Sequence, residues 1–451
     1  TSPQDLPEKA RSPYQWVTGI FVVIFLLISA WNGYLAYPNQ QKLIAKAENP
    51  RWAVYDRYSP RGEIYALSGE KLVEVQGEPG SYALWVNEPQ LSNTLGYAQP
   101  LYGQSGLQSS QYELLRGYVG VPFEERWQHE LLYNQPPAGL DIKLNINLAL
   151  QNKADELLGD HKGAVILVNA QTGEIYAIAS HPSFDANTIA ENWDSLMQRT
   201  DAPLLNRATQ GSYPLGSLAS TLAYGSLVES NHAFDLGPTQ DSFRLDPFCY
   251  RAMQVAGSSI NAFQYGCESV AEETLNSTDP AILKADLEAF GLFSAPDLAI
   301  ETADPSPALS VEQLDQNPLS VMEVQVSPVQ MVMVAATITN NGMRPAPALV
   351  NSYYSREGTW QAFGPSQAAQ VVLSENLSEE IQDNLRSDTQ TIWYQIGHAL
   401  INQEEPLTWY IGGTTPEWSA APLAIAIAIE EEAPELALQI GNTLLNLSVS
   451  N

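Results

Sequence analysis

The chain has 451 residues, 44% of them hydrophobic, and a formal net charge of −30 from 51 acidic and 21 basic side chains. That length suffices for two or three domains with their own cores. The charge excludes nucleic-acid binding, which needs a basic footprint, and docking by charge onto an anionic membrane surface. It reads as a solvated acidic surface.

The first element is Trp16–Tyr37, WVTGIFVVIFLLISAWNGYLAY, which follows a tail over residues 1–15. This uncharged run is close to the ~20 residues a helix needs to span a bilayer. Trp16, Trp31, Tyr34 and Tyr37 suit the two interfaces. The apolar core is longer than a signal peptide's and no small-residue cleavage site follows. A retained anchor over residues 16–37, in contact with lipid, is therefore expected. Lys9 and Arg11 before it are balanced by Lys42, Lys46 and Arg51 after it, so charge does not orient it.

Residues 38–138 begin with a polar stretch, Pro38–Asn49, that suits a stalk helix. Arg61-Gly62-Glu63-Ile64-Tyr65-Ala66 then alternates into a Ser68-Gly69 turn, which predicts a β-hairpin. Gly96-Tyr97 and Tyr102-Gly103-Gln104-Ser105-Gly106-Leu107 follow, with Gln108 next. From Gly139 onward, Asp141–Gln151 leads to Lys162–Asn187. There Ala164–Val168 reads as a buried strand, Gln171-Thr172-Gly173 as a turn and Glu174–Ala179 as the returning strand. Further on stand Leu205–Ser220 (LNRATQGSYPLGSLAS), Gln325–Met331, Ala335–Pro345, Thr408–Gly412 and Leu423–Glu430.

These segments, over about residues 49 to 446, resemble the class B penicillin-binding proteins, the penicillin-binding transpeptidases. Arg61–Ala66 matches the family's R-G-x-I-x-A. Tyr102–Leu107 matches its Y-G-x-x-G-L-E, with Gln108 in the acid's place. Lys162–Asn187 matches its G-A-x-V-x-x-x-x-T-G-x-I-x-A-x-x-S-x-P-x-x-D-x-N at nearly every defined position. The resemblance implies an α+β protein: a transmembrane helix, a β-rich stalk and pedestal (38–138), and a serine transpeptidase/β-lactamase-like domain (139–451) whose antiparallel sheet is flanked by helices.

The family's chemistry needs a serine nucleophile, a lysine base three residues on, a second-motif serine and a cationic K-T-G strand. Ser217 stands at the nucleophile position and Ser220 at the lysine's; a serine is no base at neutral pH, so Ser217 reads as a helix N-cap. The S-x-N motif aligns with Gly266-Cys267-Glu268, by its spacing to Phe290-Gly291-Leu292. Glu268 there would repel a substrate carboxylate. A literal S-x-N at Ser259-Ile260-Asn261 lies seven residues too early. K-T-G-T-A aligns with Gln395-Ile396-Gly397-His398-Ala399, and no K-[ST]-G occurs anywhere. The one literal S-x-x-K, Ser68-Gly69-Glu70-Lys71, falls in the hairpin turn. His398 is either a replacement base or a structural histidine.

The two cysteines, Cys249 and Cys267, lack a C-x-x-C, and the five histidines lack ligand spacing, so neither a metal nor another cofactor is expected. If the domain is extracytoplasmic, as the resemblance implies, Cys249 and Cys267 are free to pair. The loss of the motif lysines predicts a protein that is not an enzyme. It would be a single-pass pseudoenzyme of the bacterial cytoplasmic membrane, its large domain outside, scaffolding other membrane or cell-envelope proteins. The alternatives are a binding protein for peptidoglycan peptides or β-lactams, and a residual D,D-transpeptidase using Ser217 in cell-wall synthesis.

Overall fold

A computed structural model describes residues 11–44, 56–121, 137–229, 259–364, 367–387, 389–402 and 404–447. Cys249 and the junction around Asn49-Pro50-Arg51 lie outside these residues. The first element is helix α1 (Arg11–Ile44), whose stretch Tyr14–Tyr34 has a mean hydropathy of 1.9 and buries none of its surface against the rest of the chain. An apolar helix with nothing packed on it among the described residues is a candidate membrane span.

In chain order there follow β1 (Ile64–Tyr65), β2 (Lys71–Gln76), β3 (Ala83–Val86) and β4 (Ile142–Leu144). Next come α2 (Leu148–Leu158), β5 (Gly163–Asn169), β6 (Ile175–His181), α3 (Ala219–Glu229) and α4 (Glu268–Asn276). The chain then forms α5 (Pro328–Thr339), β7 (Val350–Tyr354), β8 (Trp360–Ala362), β9 (Ile392–Ile401), β10 (Glu405–Thr414), β11 (Leu423–Ile429) and α6 (Pro434–Leu445).

The pedestal is a six-stranded sheet in the order β8-β7-β4-β1-β2-β3. The β1–β2 hairpin forms where the alternation and the Ser68-Gly69 turn place it. The expected boundary at residue 138 does not hold for this sheet. β4 pairs in parallel with β1, and β7 and β8 join from about 200 residues further along the chain. Strands β7 and β8 carry no family motif, and long-range pairing of this kind depends on which edge the rest of the fold leaves open.

The second sheet has the antiparallel order β9-β10-β11-β5-β6. In β11 (LAIAIAI) every residue is buried, because both faces are covered. Its alanines, Ala424, Ala426 and Ala428, share a core with α5, while Leu423, Ile425, Ile427 and Ile429 share one with α2 and α6. Period-two alternation sorts the two faces. The small side lets α5 sit close, and α5 itself is buried on every side, as its uniformly apolar sequence requires. Ser327 caps α5 in a capping box with Gln330.

Candidate functional site

Ser217 lies in a 3₁₀ turn (Gly216–Leu218) leading into α3. The turn is held from three directions. Leu215 N–H donates to the Val324 carbonyl (3.0 Å), and Trp409 Nε1–H donates to the Pro214 carbonyl (2.9 Å). Arg207, with its side chain 3% exposed, pairs through Nε with Glu430 Oε1 at 2.7 Å and donates to the carbonyls of Ala202 (3.0 Å) and Asp201 (2.7 Å). Tyr213 donates to the same Glu430 oxygen at 2.8 Å; burial first, and then the Glu430 charge, push this phenol well above the ordinary tyrosine range. The stretch before the serine is thereby tied to the end of β11. Gly216 has φ +56°, and a Cβ there would sit 2.6 Å from Ala399 Cβ and against the His398 carbonyl, so only glycine fits.

The Ser217 hydroxyl does not cap the helix. Its Oγ accepts the backbone N–H of His398 on β9 at 2.8 Å. The N-cap reading is corrected: strand β9 runs so close to the turn that its N–H reaches the hydroxyl before any amide of the turn does. Ser220 donates to the Ser217 carbonyl (2.8 Å), and Gln395 Nε2 donates to both Ser220 Oγ and the Phe263 carbonyl, each at 3.0 Å. Thr221 donates to Gln395 Oε1. The two positions where lysines would stand are therefore bonded directly to each other. All three side chains are buried, and the Gln395 amide uses both N–H donors and its oxygen, so the network is neutral and satisfied. Nothing in the sequence singled out Thr221; it matters because it faces Gln395 across the fold.

Gly266 approaches from the other side. At φ +59° its backbone packs so closely that a Cβ would stand 2.8 Å from Ser217 Oγ and inside contact distance of the Ile396 carbonyl. The Gly266-Cys267-Glu268 segment is thus at the serine. Cys267 is buried and disulfide-bonded, and Glu268 opens α4. Gly397 on β9 lies against Leu218, where a Cβ would be 2.5 Å from its Cγ. The literal Ser259-Ile260-Asn261 sits on a separate short helix (Ser259–Gln264), and Ser68 stands in the exposed hairpin turn of the pedestal, bonded to Glu70.

Beside this turn opens a groove of about 570 Å³, lined among others by Ser212, Pro214, Gly216, Glu268, Glu272, Glu323 and His398. None of its described lining residues is a lysine or arginine. The arrangement offers a buried serine hydroxyl, a backbone N–H aimed at it, and carboxylates and an imidazole at the rim. Those parts suit acyl transfer.

Residues 163–392, slightly more than half the chain, match the family model "Penicillin binding protein transpeptidase domain". The chain is 26% identical over 371 residues to "Peptidoglycan D,D-transpeptidase PbpA" of Mycolicibacterium smegmatis, covering 74% of this chain and 73% of that one. It is 32% identical over 174 residues to "Peptidoglycan D,D-transpeptidase MrdA" of Acinetobacter baumannii, covering 36% of this chain and 24% of that one. Among solved structures, penicillin-binding protein A from M. tuberculosis, in an imipenem acyl-enzyme complex, superposes with a TM-score of 0.71 at 21% identity, over 86% of this chain and 98% of that one.

These relatives overturn the expectation that the chain is not an enzyme. They are named D,D-transpeptidases, so the chain's similarity is to enzymes. That expectation rested on the missing motif lysines and second-motif serine, whereas Ser217, the strand N–H and the groove are placed by the fold without them. The chain belongs to the penicillin-binding protein transpeptidase family.

Proposed function

We propose that the chain is a membrane-anchored D,D-transpeptidase of peptidoglycan synthesis with Ser217 as its nucleophile. The observation that carries this reading is the 2.8 Å approach of the His398 N–H to Ser217 Oγ, beside a groove that Gly216 and His398 line. In the proposed reaction the serine oxygen attacks a stem-peptide carbonyl. The amide C–N bond breaks, the leaving amine takes up a proton, and a serine ester remains for an acceptor amine to attack. The backbone N–H of His398, fixed by β9, is positioned to stabilise the negative charge on the carbonyl oxygen. The proton shed by Ser217 passes to the imidazole of His398, a residue that lines the groove and is of the type most used as a general base.

The proposal extends to setting. Residues 16–37 anchor the chain in a bacterial cytoplasmic membrane, the catalytic domain faces the cell wall, and other envelope proteins are its partners. The candidate span Tyr14–Tyr34 supports the anchor.

The test is intact-mass spectrometry of the full chain in detergent after incubation with a reactive penicillin. A stoichiometric adduct is expected, absent from Ser217→Ala. His398→Ala should form it about 10²–10⁴-fold more slowly, the usual worth of a general base. No adduct on the unaltered chain, or an adduct that survives Ser217→Ala, would refute the assignment.

A further inference from the structure

The chain that follows α5 walls a second cavity. Met343-Arg344 pairs antiparallel with Gln370-Val371, which sets Arg344 opposite Gln370, and Arg344 Nη2 donates to Gln370 Oε1 at 2.7 Å. The guanidinium lies over the Gly291 backbone, just past the helix Pro280–Ala289, so that a Cβ on Gly291 would stand 2.1 Å from Nη1. Gln330 of α5 fixes that wall by donating to the carbonyls of Gly291 (3.3 Å), Leu292 (2.9 Å) and Ser294 (3.2 Å). The cavity is therefore preformed. Its volume is about 110 Å³, well under the roughly 300–1,000 Å³ of drug-sized pockets, so its occupant is a small molecule. It shares no lining residue with the groove beside Ser217.

Arg344 is half-buried and forms no ion pair among the described residues. A guanidinium carries five N–H donors, and here one is used. Nε and Nη1 have no acceptor among the described residues, yet neither is sealed off in the interior, so both are within reach of a ligand. Burial lowers the pKa of this guanidinium, and no neighbouring acid raises it. The helix end beneath it, equivalent to about half a negative charge, holds the cation in place but accepts none of its N–H groups. The two residues between Gly364 and Gln367, Pro365 and Ser366, carry no charge. Asp297 lines the same cavity, is exposed, and makes neither an ion pair nor a side-chain hydrogen bond among the described residues. Opposite charges that share one small cavity without meeting leave two charged positions for one ligand.

We propose that this cavity binds a small zwitterion, an amino acid with a short aliphatic side chain. Its carboxylate takes the unused N–H groups of Arg344, its ammonium faces Asp297, and its side chain lies against Pro296, Met333 and Ala346. The planar fork of an arginine matches a carboxylate, and the half-buried setting strengthens the contact. An inorganic phosphate is disfavoured, because it would meet one cation and be repelled by Asp297. The site is independent of the chemistry at Ser217.

The probes are L-alanine, D-alanine, propionate, alaninamide and inorganic phosphate, titrated into the full chain in detergent. Saturation-transfer NMR and the melting temperature read binding. At least one alanine isomer is expected to bind at millimolar concentration and to raise the melting temperature. Propionate lacks the ammonium and alaninamide the carboxylate, so each should bind at least about tenfold more weakly, the worth of one charged contact. Arg344→Gln should abolish binding of alanine and propionate alike. Asp297→Asn, at an exposed position, should weaken alanine to the level of propionate and leave propionate unchanged. If Arg344→Gln itself lowers the melting temperature of the free chain, Asp297→Asn carries the test alone. No alanine binding at tens of millimolar, equal binding of alanine and either analogue, displacement by phosphate at the same concentration, or alanine binding unaltered in Asp297→Asn would each overturn the proposal.

Discussion

Replacing Gly266 by serine would restore the family's second-motif residue type, and the structure predicts that the change damages the fold. Two costs add. The residue sits at φ +59°, where a side chain costs about 1–2 kcal/mol. The new Cβ must also enter the contact between Gly266 and the Ile396 carbonyl, which is a rigid strand of the central sheet, and stand 2.8 Å from Ser217 Oγ. Overfilling a packed site of this kind costs about 1–3 kcal/mol. The expected destabilisation of Gly266→Ala is therefore about 2–5 kcal/mol. Gly266→Ser should be milder by the roughly 0.5–1.5 kcal/mol of one hydrogen bond if its hydroxyl meets Ser217 Oγ. A control separates the terms. Gly120 has φ +75° with nothing within 4 Å of an added Cβ, so Gly120→Ala should cost only the backbone portion, about 1–2 kcal/mol. Urea unfolding of the full chain in detergent, followed by tryptophan fluorescence, reads all three. The reasoning fails if Gly266→Ser stays within about 0.5 kcal/mol of the unaltered chain, or if the two alanine variants cost the same, since either result means strand β9 yields freely.

Three further outcomes are expected. Arg207→Met should cost about 3 kcal/mol, near the low end for a broken buried pair, because Glu430 keeps Tyr213 and partial water access; a double-mutant cycle with Glu430→Gln should show coupling above about 1 kcal/mol, and additive effects would contradict the pairing. At His181, burial lowers the pKa, but the bonds to Asp155 (2.8 Å) and the Gly159 carbonyl (2.7 Å) outweigh it and raise the pKa above 6.5. The raised folded-state pKa makes this contribution complete below about pH 6.5 and lost as pH rises through the higher folded value. The melting temperature should thus fall as pH rises above about 6.5 more steeply than in Asp155→Asn, and parallel profiles would exclude the pair as its source. Finally, Cys267 is disulfide-bonded and the chain has one other cysteine, Cys249, so a non-reducing peptide map should link the two; alkylation of Cys267 without prior reduction would contradict this.

Much of the frame was legible because it is local. The β5–β6 hairpin follows from an apolar run, the Gln171-Thr172-Gly173 turn and a second apolar run. Asn169 closes the turn by accepting from the amides of Gln171 and Thr172. The apolar helix is legible for the same reason, since its length and absence of charge are properties of consecutive residues. The site was legible only as positions. Ser217, Gly266 and His398 could be aligned with motif places, but the direction of a hydroxyl could not. The N-cap reading failed because it looked for Ser217's partner along the helix, whereas the partner lies 181 residues away.

The sequence by itself determined the candidate span, the hairpin strands, the apolar two-faced β11 and the absence of lysine at Ser220 and Gln395. Each of these depends on residue type and short-range periodicity. Only the tertiary structure decided that Gln395 bonds Ser220 across 175 residues, that Thr221 completes their network, that Gly266 leaves no room for a serine, and that β7 and β8 join the pedestal sheet. Those outcomes turn on separations of a few tenths of an ångström between segments far apart in the chain, and such distances arise only when the sheets and helices have packed.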